Sequence, residues 1–479
     1  MIPDLLREAA FPPGDETKWR ALAAKALKGA DYDRTLVSRT GDGIRIEPIY
    51  ARSPQPMPIS RHDKAGTWKI VQRVDDTDPA RANRQALEDL AGGATGLSIV
   101  FEGAPNAFGH GLPASADALA RALDNVPLNR LDLRIDTHSL SRVSAEWLVA
   151  YLGKRHADPA RINLCFGIDP AASFAGTGRL RMSVEALKAS MPQSLSHFFA
   201  LGIPSVLLEA DGRVCHNAGA TEAQELGFVI ASAVSHMRMF EAARQPLVYA
   251  APHVGFAVAA NQDQYLTIAK LRAARRLWSR IQEVCSIEPS AGTIHAETSW
   301  RMLTRKDPET NILRSTIAVF SAAVGGADSI SVLPHTLAHG LPDRFARRVA
   351  RNTQLVLAEE SNVGFVNDPA SGSGGIAHLT EALCEEAWNE FRRIEEEGGI
   401  LDSLAAGKFQ SRVAAAREAQ TRRYEDGSRA IVGTTLFPPD RDRPVRTLPS
   451  EAPTPVEDGV VHCERLAPIR IDETLGAGA

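Results

Sequence analysis

The chain has few cysteines, no dominant charge and no long apolar run. Its five cysteines, Cys165, Cys215, Cys285, Cys384 and Cys463, are scattered through 479 residues with no C-x-x-C pair. That spacing excludes a thiol redox motif and a zinc knuckle, and an odd, dispersed set suits a reducing compartment. The 54 Lys+Arg against 58 Asp+Glu leave a formal charge of −4. Without a concentrated positive field, neither nucleic acid nor a polybasic membrane contact is expected. Apolar stretches such as IAVFSAAVGGA are too short to span a bilayer. The N-terminus MIPDLLREAAFPPGDETKW carries early acids and reads as no signal peptide, so a cytoplasmic location is expected. Neither G-x-G-x-x-G nor G-x-x-x-x-G-K-[ST] occurs, which leaves the usual nucleotide-binding form of a doubly wound sheet unsupported.

What is present is enough apolar material for a large core, 44% hydrophobic residues against 23% charged. Three zones stand out. Residues 1–65 combine a helix with an extended arm: in DETKWRALAAKALKGA, Trp19, Leu22, Ala26 and Leu27 share one helical face and Gly29 follows as a cap. The arm continues into SRTGDGIRIEPIYARSPQPMPISRHDKAG, rich in Pro, Gly and Ser. Residues 434–479, with FPPDRDRPVRTLPSEAPTPVEDG, form a proline-rich tail that is solvated or bound to a partner.

Residues 66–433 alternate short apolar runs with helical periods. Strands are expected at GLSIVFEG (96–103), LDLRIDTH (131–138), INLCFGID (162–169), SVLLEADG (205–212), HVGFAVAA (253–260), TIHAETSW (293–300), DSISVLPH (328–335) and NVGFVNDP (362–369). Helical segments lie between them. In the one over Asp343 to Glu360, Phe345, Val349, Leu355 and Val356 mark the expected apolar face. Parallel strands each followed by a crossover helix predict a closed (β/α)8 barrel, with chemistry where strands end and βα loops begin. The doubly wound open sheet is the competing fold.

Four features bear on function. His295 and Glu297 alternate on one strand and point to one face, as an acid/base pair or as a satisfied polar pair filling a barrel layer. His216 follows a strand and precedes Thr221, a natural N-cap; it is a base, a ligand or a loop histidine bonded to backbone. The loop DPASGSGG (368–375) can cradle a phosphate or simply connect two elements. His335 and His339 lie four apart, but Pro334 and Gly340-Leu341-Pro342 oppose a helix and no third ligand has metal spacing, so no metal site is expected.

Beyond these patterns, TLVSRTGDGIRIEPIYAR, GATEAQELGF, IAKLRAARRLW, HAETSWRMLTRKDPETNILRSTIAVFSAAVGGADSISVLP, LPDRFARRVARNTQLVLAEES and VNDPASGSGG resemble methylmalonyl-CoA mutase from about residue 10 to residue 435. HAETSWRMLTRKDP and GGADSISVLPHTLAHGLP are more similar to the small chain of the bacterial heterodimer than to the large one. The resemblance implies a (β/α)8 barrel that threads coenzyme A along its axis. It also implies a cobalamin domain carrying D-x-H-x-x-G, and radical isomerisation of methylmalonyl-CoA to succinyl-CoA with adenosylcobalamin. The departures from the catalytic pattern are specific. The carbonyl-donating histidine maps to Val214, and the tyrosine before it to Arg213. The carboxylate-binding arginine maps to Val71 and the radical-shielding tyrosine to Arg73. A further arginine maps to Thr293, and the ribose-binding glutamate to Leu337. SRHDKAG replaces the R-G-P-x-A-T-M-Y loop that grips coenzyme A, and D-x-H-x-x-G does not occur.

These departures imply a non-catalytic small subunit that supports an active large subunit in a heterodimer. Adenosylcobalamin is then held by the partner chain, with no catalytic, cofactor or metal residue here; Arg73, His216, His295 and Glu297 remain as residual pocket candidates. Two alternatives stay open: the substrate-binding chain of an active acyl-CoA mutase that uses a separate cobalamin-domain protein, and a stand-alone binding protein. The lumen residues do not decide among them, since SVLLEADG is bulky on both faces and TIHAETSW is not.

Overall fold

A computed structural model describes residues 14–54, 59, 61, 67–128, 131–158, 161–203, 205–450 and 458–476. Most of SRHDKAG, the first thirteen residues, residues 451–457 and residues 477–479 lie outside that description. Eight parallel strands close into a barrel: β1 (Lys69–Val74), β2 (Gly96–Ile99), β3 (Asp132–Ile135), β4 (Asn163–Ile168), β5 (Ser205–Asp211), β6 (Val254–Ala260), β7 (Thr293–Thr298) and β8 (Ser329–Ser331). Each strand pairs with its neighbours in chain order, and Ser329–Ser331 of β8 pair with Lys69–Val71 of β1 to shut the ring. Helices between the strands form the outer layer, so the architecture is a (β/α)8 barrel.

The eighth strand corrects the sequence reading. Residues 362–369 are turn and bend, with Phe365 and Val366 exposed. Gly, Asn, Asp and Pro punctuate that segment and deny it a ladder. The ring is completed at the other end of the chain by β1, which pairs with β8 on one side and β2 on the other. DPASGSGG therefore follows a helix instead of a strand. Its Asp368 pairs with Arg272 and accepts the Ile59 amide at 2.8 Å, and its Ser373 caps helix Gly374–Glu396.

Outward strand residues such as Leu97, Leu133, Phe256 and Ile294 build the core against the helices; Phe256 meets Trp278 edge-on at 5.2 Å. Helix Arg344–Leu355 packs differently from its apolar pattern. It buries Ala346, Arg347, Ala350, Arg351 and Gln354, while Phe345 and Val356 are exposed. Its arginines reach Asp75 and Asp89 at 2.7 and 2.8 Å, and Trp68 donates to Gln354 at 3.0 Å. Buried ion pairs thus outrank hydrophobic spacing on this helix.

The termini lie on the barrel. Helix Glu16–Leu27, capped by Asp15, has no buried residue. The hairpin Ser38–Arg39/Arg45–Ile46 sets Asp42 at the N-terminus of helix Glu222–Ala242, where its carboxylate accepts the Ala223 amide at 3.3 Å. The tail crosses the C-terminal face of the barrel. Thr447–Leu448 pair with Leu341–Pro342 of the loop after β8, and Val461–His462 pair with Arg179–Leu180 of the loop after β4. Leu466 and Ile469 then donate to the carbonyls of Ala175 and Asn217. No helix among the described residues is long and apolar enough to cross a membrane.

Candidate functional site in the barrel axis

The lumen is polar, and its long side chains come from alternate strands. β1 supplies Arg73, β3 Arg134, β5 Glu209 and β7 His295 and Glu297, whereas β2, β6 and β8 place Ser98, Ala257, Ala259, Ser329 and Ser331 beside them. Barrel interiors fill in layers from odd or even strands, so the small residues leave room for the odd strands to meet across the axis. Arg73 donates to Glu297 at 2.8 Å, and Arg134 to Glu209 at 2.8 Å. Above them, Arg213 binds Asp136 at 2.5 Å, Asp211 at 2.7 Å and Glu297 at 3.2 Å. Asp75 is shared between Arg73 and Arg347.

Four guanidiniums thus meet five carboxylates, all nearly inaccessible to water. Burial pushes the pKa of Asp211 up to about 6. Asp136 and Asp75 move the other way: burial opposes their charge, but the neighbouring arginines outweigh it and hold both below the usual carboxylate range. Burial, reinforced by Arg134, Arg213 and Arg73, holds His295 well below its ordinary value, so it is a neutral ring. Its nitrogens face the Ser329 and Ser331 hydroxyls at 2.8 and 3.3 Å.

Two further structures close the axis from above. Arg73 lies 5.5 Å from the centre of the Phe108 ring, Phe108 stacks on Trp300 at 4.5 Å, and Arg470 from the tail lies 5.3 Å from the Trp300 ring. The tail residue Asp472 accepts the Arg305 amide of the loop after β7. Below the ion pairs a cavity of about 520 Å³ remains at the N-terminal ends of the strands, with Val71, Arg134, Cys165, Glu209, Thr293 and His295 on its wall.

Arg73, His295 and Glu297 are therefore brought together in the lumen, and His216 stands apart. His216 sits on a short helix, Arg213–Asn217, with its ring between Glu225 at 3.0 Å and the Ser299 hydroxyl at 2.9 Å. Burial, then Arg301, lowers its pKa to about 4. Lys270 ion-pairs with the same Glu225 at 2.6 Å, so the group ties two helices to the end of β7. Val214 is buried against Gly176. Leu337 belongs to an apolar cluster with Trp300, Leu303 and Leu333. His335 turns towards Phe345, and His339 bonds the Arg305 carbonyl.

Sequence reasoning left Arg134, Asp136, Glu209 and Asp211 out of the candidate site residues, although Asp136, Glu209 and Asp211 lie at strand ends. The signal was present: titratable residues stand two apart on or just past every odd strand, as Arg73/Asp75, Arg134/Asp136, Glu209/Asp211 and His295/Glu297. Two-residue spacing puts each pair on one face.

Fold and axis together define a class: a (β/α)8 barrel with a polar core shaped like a channel, here crossed by ion pairs. The chain belongs to the methylmalonyl-CoA mutase family, whose model matches residues 47–470. It is 36% identical over 481 residues to a methylmalonyl-CoA mutase small subunit of Streptomyces virginiae, covering 95% of this chain and 76% of that protein. It is 31% identical to the one of Propionibacterium freudenreichii subsp. shermanii, covering 92% and 71%. A probable small subunit of Mycobacterium bovis is 33% identical, covering 88% and 71%.

The family implies adenosylcobalamin in the enzyme complex. The residues of this barrel do not fit it. The C-terminal face, where a radical-generating cofactor would have to meet the axis, is occupied by the Phe108–Trp300–Arg470 stack and by the tail.

Proposed function

We propose that this chain is the non-catalytic small subunit of a methylmalonyl-CoA mutase and supports a large subunit that carries adenosylcobalamin and converts methylmalonyl-CoA to succinyl-CoA. The observation that carries the proposal is the pair of ion pairs across the axis, Arg73–Glu297 and Arg134–Glu209. A thioester arm running down the lumen would have to part both. Separating a buried pair costs about 3–5 kcal/mol, so two cost roughly what a micromolar affinity supplies, about 8 kcal/mol. Val214 and Val71 offer no polar replacement where the family donates to the carbonyl and grips the carboxylate.

The chain's own residues then act as scaffold. The filled axis makes the barrel rigid. The hairpin carrying Asp42 and the Tyr50–His378 stack at 5.0 Å anchor the base of the N-terminal arm. The helix beyond buries no residue, and its exposed Leu22, with the half-buried Trp19 and Leu27, is free to lie on a partner. The cavity below the ion pairs favours a second reading, in which this chain binds acyl-CoA and works with a separate cobalamin protein.

One experiment separates the two. The purified chain is titrated with methylmalonyl-CoA by calorimetry, alone and with a mutase large chain, and turnover is assayed in each mixture. The proposal expects no binding and no turnover by the lone chain, and a stable 1:1 complex with the large chain. Saturable binding by the lone chain, or turnover with a cobalamin-carrying protein and no large chain, overturns it.

A further inference from the structure

Outside the ring of strands, between the loops that follow β3 and β4, lies a pocket of about 350 Å³. It is separate from the axis. One wall is the start of helix Ser141–Lys154, and the other is helix Val184–Ala200 with the strand segment Arg179–Leu180. Arg142, Arg179 and Arg181 line it, and Met182, Leu187 and Met191 supply apolar surface.

The charge of this wall is unbalanced. Among the described residues Arg142 donates to neutral groups, the Ser190 and Ser194 hydroxyls at 3.2 and 3.4 Å and the Met182 sulfur. Neither Arg142 nor Arg179 has an acidic partner among the described residues. Arg181 pairs with Asp458, but both side chains are at least half exposed, where an ion pair is worth little. The carboxylate on the wall, Asp169, is already used. It accepts the amides of Ala171, Ala172 and Asp211. His138 is held neutral between the Leu140 amide and the Glu102 carbonyl.

We infer that this pocket binds a small organic carboxylate with a short aliphatic tail. The guanidinium fork matches a carboxylate in two parallel hydrogen bonds. Two methionines and a leucine form an adaptable apolar surface that rewards a tail and gives nothing to a bare inorganic anion. The volume lies at the small end of the range for ligand pockets. The proposal does not rest on the mutase reading, since the site shares no side chain with the ion pairs across the axis.

The test titrates the full chain with hexanoate, hexanamide and inorganic phosphate, followed by calorimetry and by chemical-shift changes of methionine methyls. Hexanoate is expected to saturate in the millimolar range or below. Hexanamide, which lacks the charge, and phosphate, which lacks the tail, are expected to bind at least about tenfold more weakly, a difference of about 1.4 kcal/mol. Arg142→Gln with Arg179→Gln is expected to weaken hexanoate by at least about tenfold at unchanged thermal midpoint. Arg181→Gln, at a half-exposed position where folding is not at risk, is expected to weaken it two- to threefold. No saturation by hexanoate, equal binding of hexanamide or phosphate, or hexanoate binding indifferent to both sets of substitutions overturns the proposal.

Discussion

Arg73 holds Glu297 and Asp75 at once, and all three side chains are nearly inaccessible to water. Replacing it with Met strands a carboxylate, and the expected loss is about 3–5 kcal/mol. Arg73→Met together with Glu297→Leu removes both members of the cross-axis pair and leaves Asp75 to Arg347 and Arg213 to Asp136 and Asp211. The double variant is expected to lose clearly less than the sum of the singles. Urea unfolding of the four proteins in a double-mutant cycle checks this, and strict additivity would dissolve the coupling. His216 makes a separate, pH-dependent statement. Its folded pKa of about 4 lies below the ordinary 6.5, so between those values the unfolded chain binds the proton and the native chain does not. Stability is then lost as pH falls from 6.5 to 4, by roughly 3 kcal/mol. His216→Gln, which keeps a donor and an acceptor, is expected to flatten that slope; an unchanged slope in urea titrations at pH 4.5 and 7 would remove His216 from the account. Asp42 has the opposite sign. Burial and then Glu222 push it to about 7 from 3.8, and one of its oxygens has no partner. Its carboxylate destabilises the docked hairpin increasingly as pH rises from 4 to 7. Asp42→Asn is therefore expected to stabilise at pH 8 by on the order of 2–4 kcal/mol and by much less at pH 4.5.

At the scale of elements, β4 carries an irregularity with a nameable cause. Its register with β5 shifts between Cys165 and Ile168, and Gly167 within it adopts φ +57°. A Cβ there would sit 2.0 Å from the Ile135 carbonyl oxygen of β3. Only glycine permits this approach. Gly167→Ala must move a backbone that the barrel holds on both sides, so it is expected to lower the thermal midpoint sharply or to abolish soluble protein. A midpoint within a few degrees of the parent would contradict the strain argument. Six of the eight barrel strands, β2 to β7, were legible from their apolar runs, within a few residues at the ends. β8 shrank to Ser329–Ser331, because the residues beyond it turn into the loop that the tail covers. β1 escaped because Lys69, Gln72 and Arg73 interrupt its apolar pattern. The burial of arginines on helix Arg344–Leu355 was not legible for the same reason: spacing reports polarity and does not report where a counter-charge waits.

Across the whole molecule, the tail is the least securely held part of the barrel's cover. It touches the loops after β4, β5, β7 and β8 largely through backbone hydrogen bonds, and Leu466 and Arg470 are its buried members among the described residues. Segments with few buried contacts open at low free energy. The amides of Val460, Cys463, Leu466 and Ile469 are expected to exchange with solvent orders of magnitude faster than those of β5 and β6. Equal protection would mean that the tail and barrel open as one unit. Loss of exchange at these amides on adding a large chain would place that partner over the C-terminal face, whereas protection confined to residues 16–27 would place it along the arm.

The amino-acid sequence determined the alternation of strands and helices and the family. These are properties of consecutive residues, and local spacing and motif order carry them. Closure of the axis was decided by tertiary structure. Arg73 and Glu297 lie 224 residues apart, and Arg134 and Glu209 lie 75 apart. Charges spaced by two on a strand show which face they share. Whether they face water, a ligand or each other depends on how the ring closes and which strands contribute small residues. The tail's path over the mouth is likewise a matter of which carbonyls the loops leave unpaired, and a proline-rich composition does not encode that address.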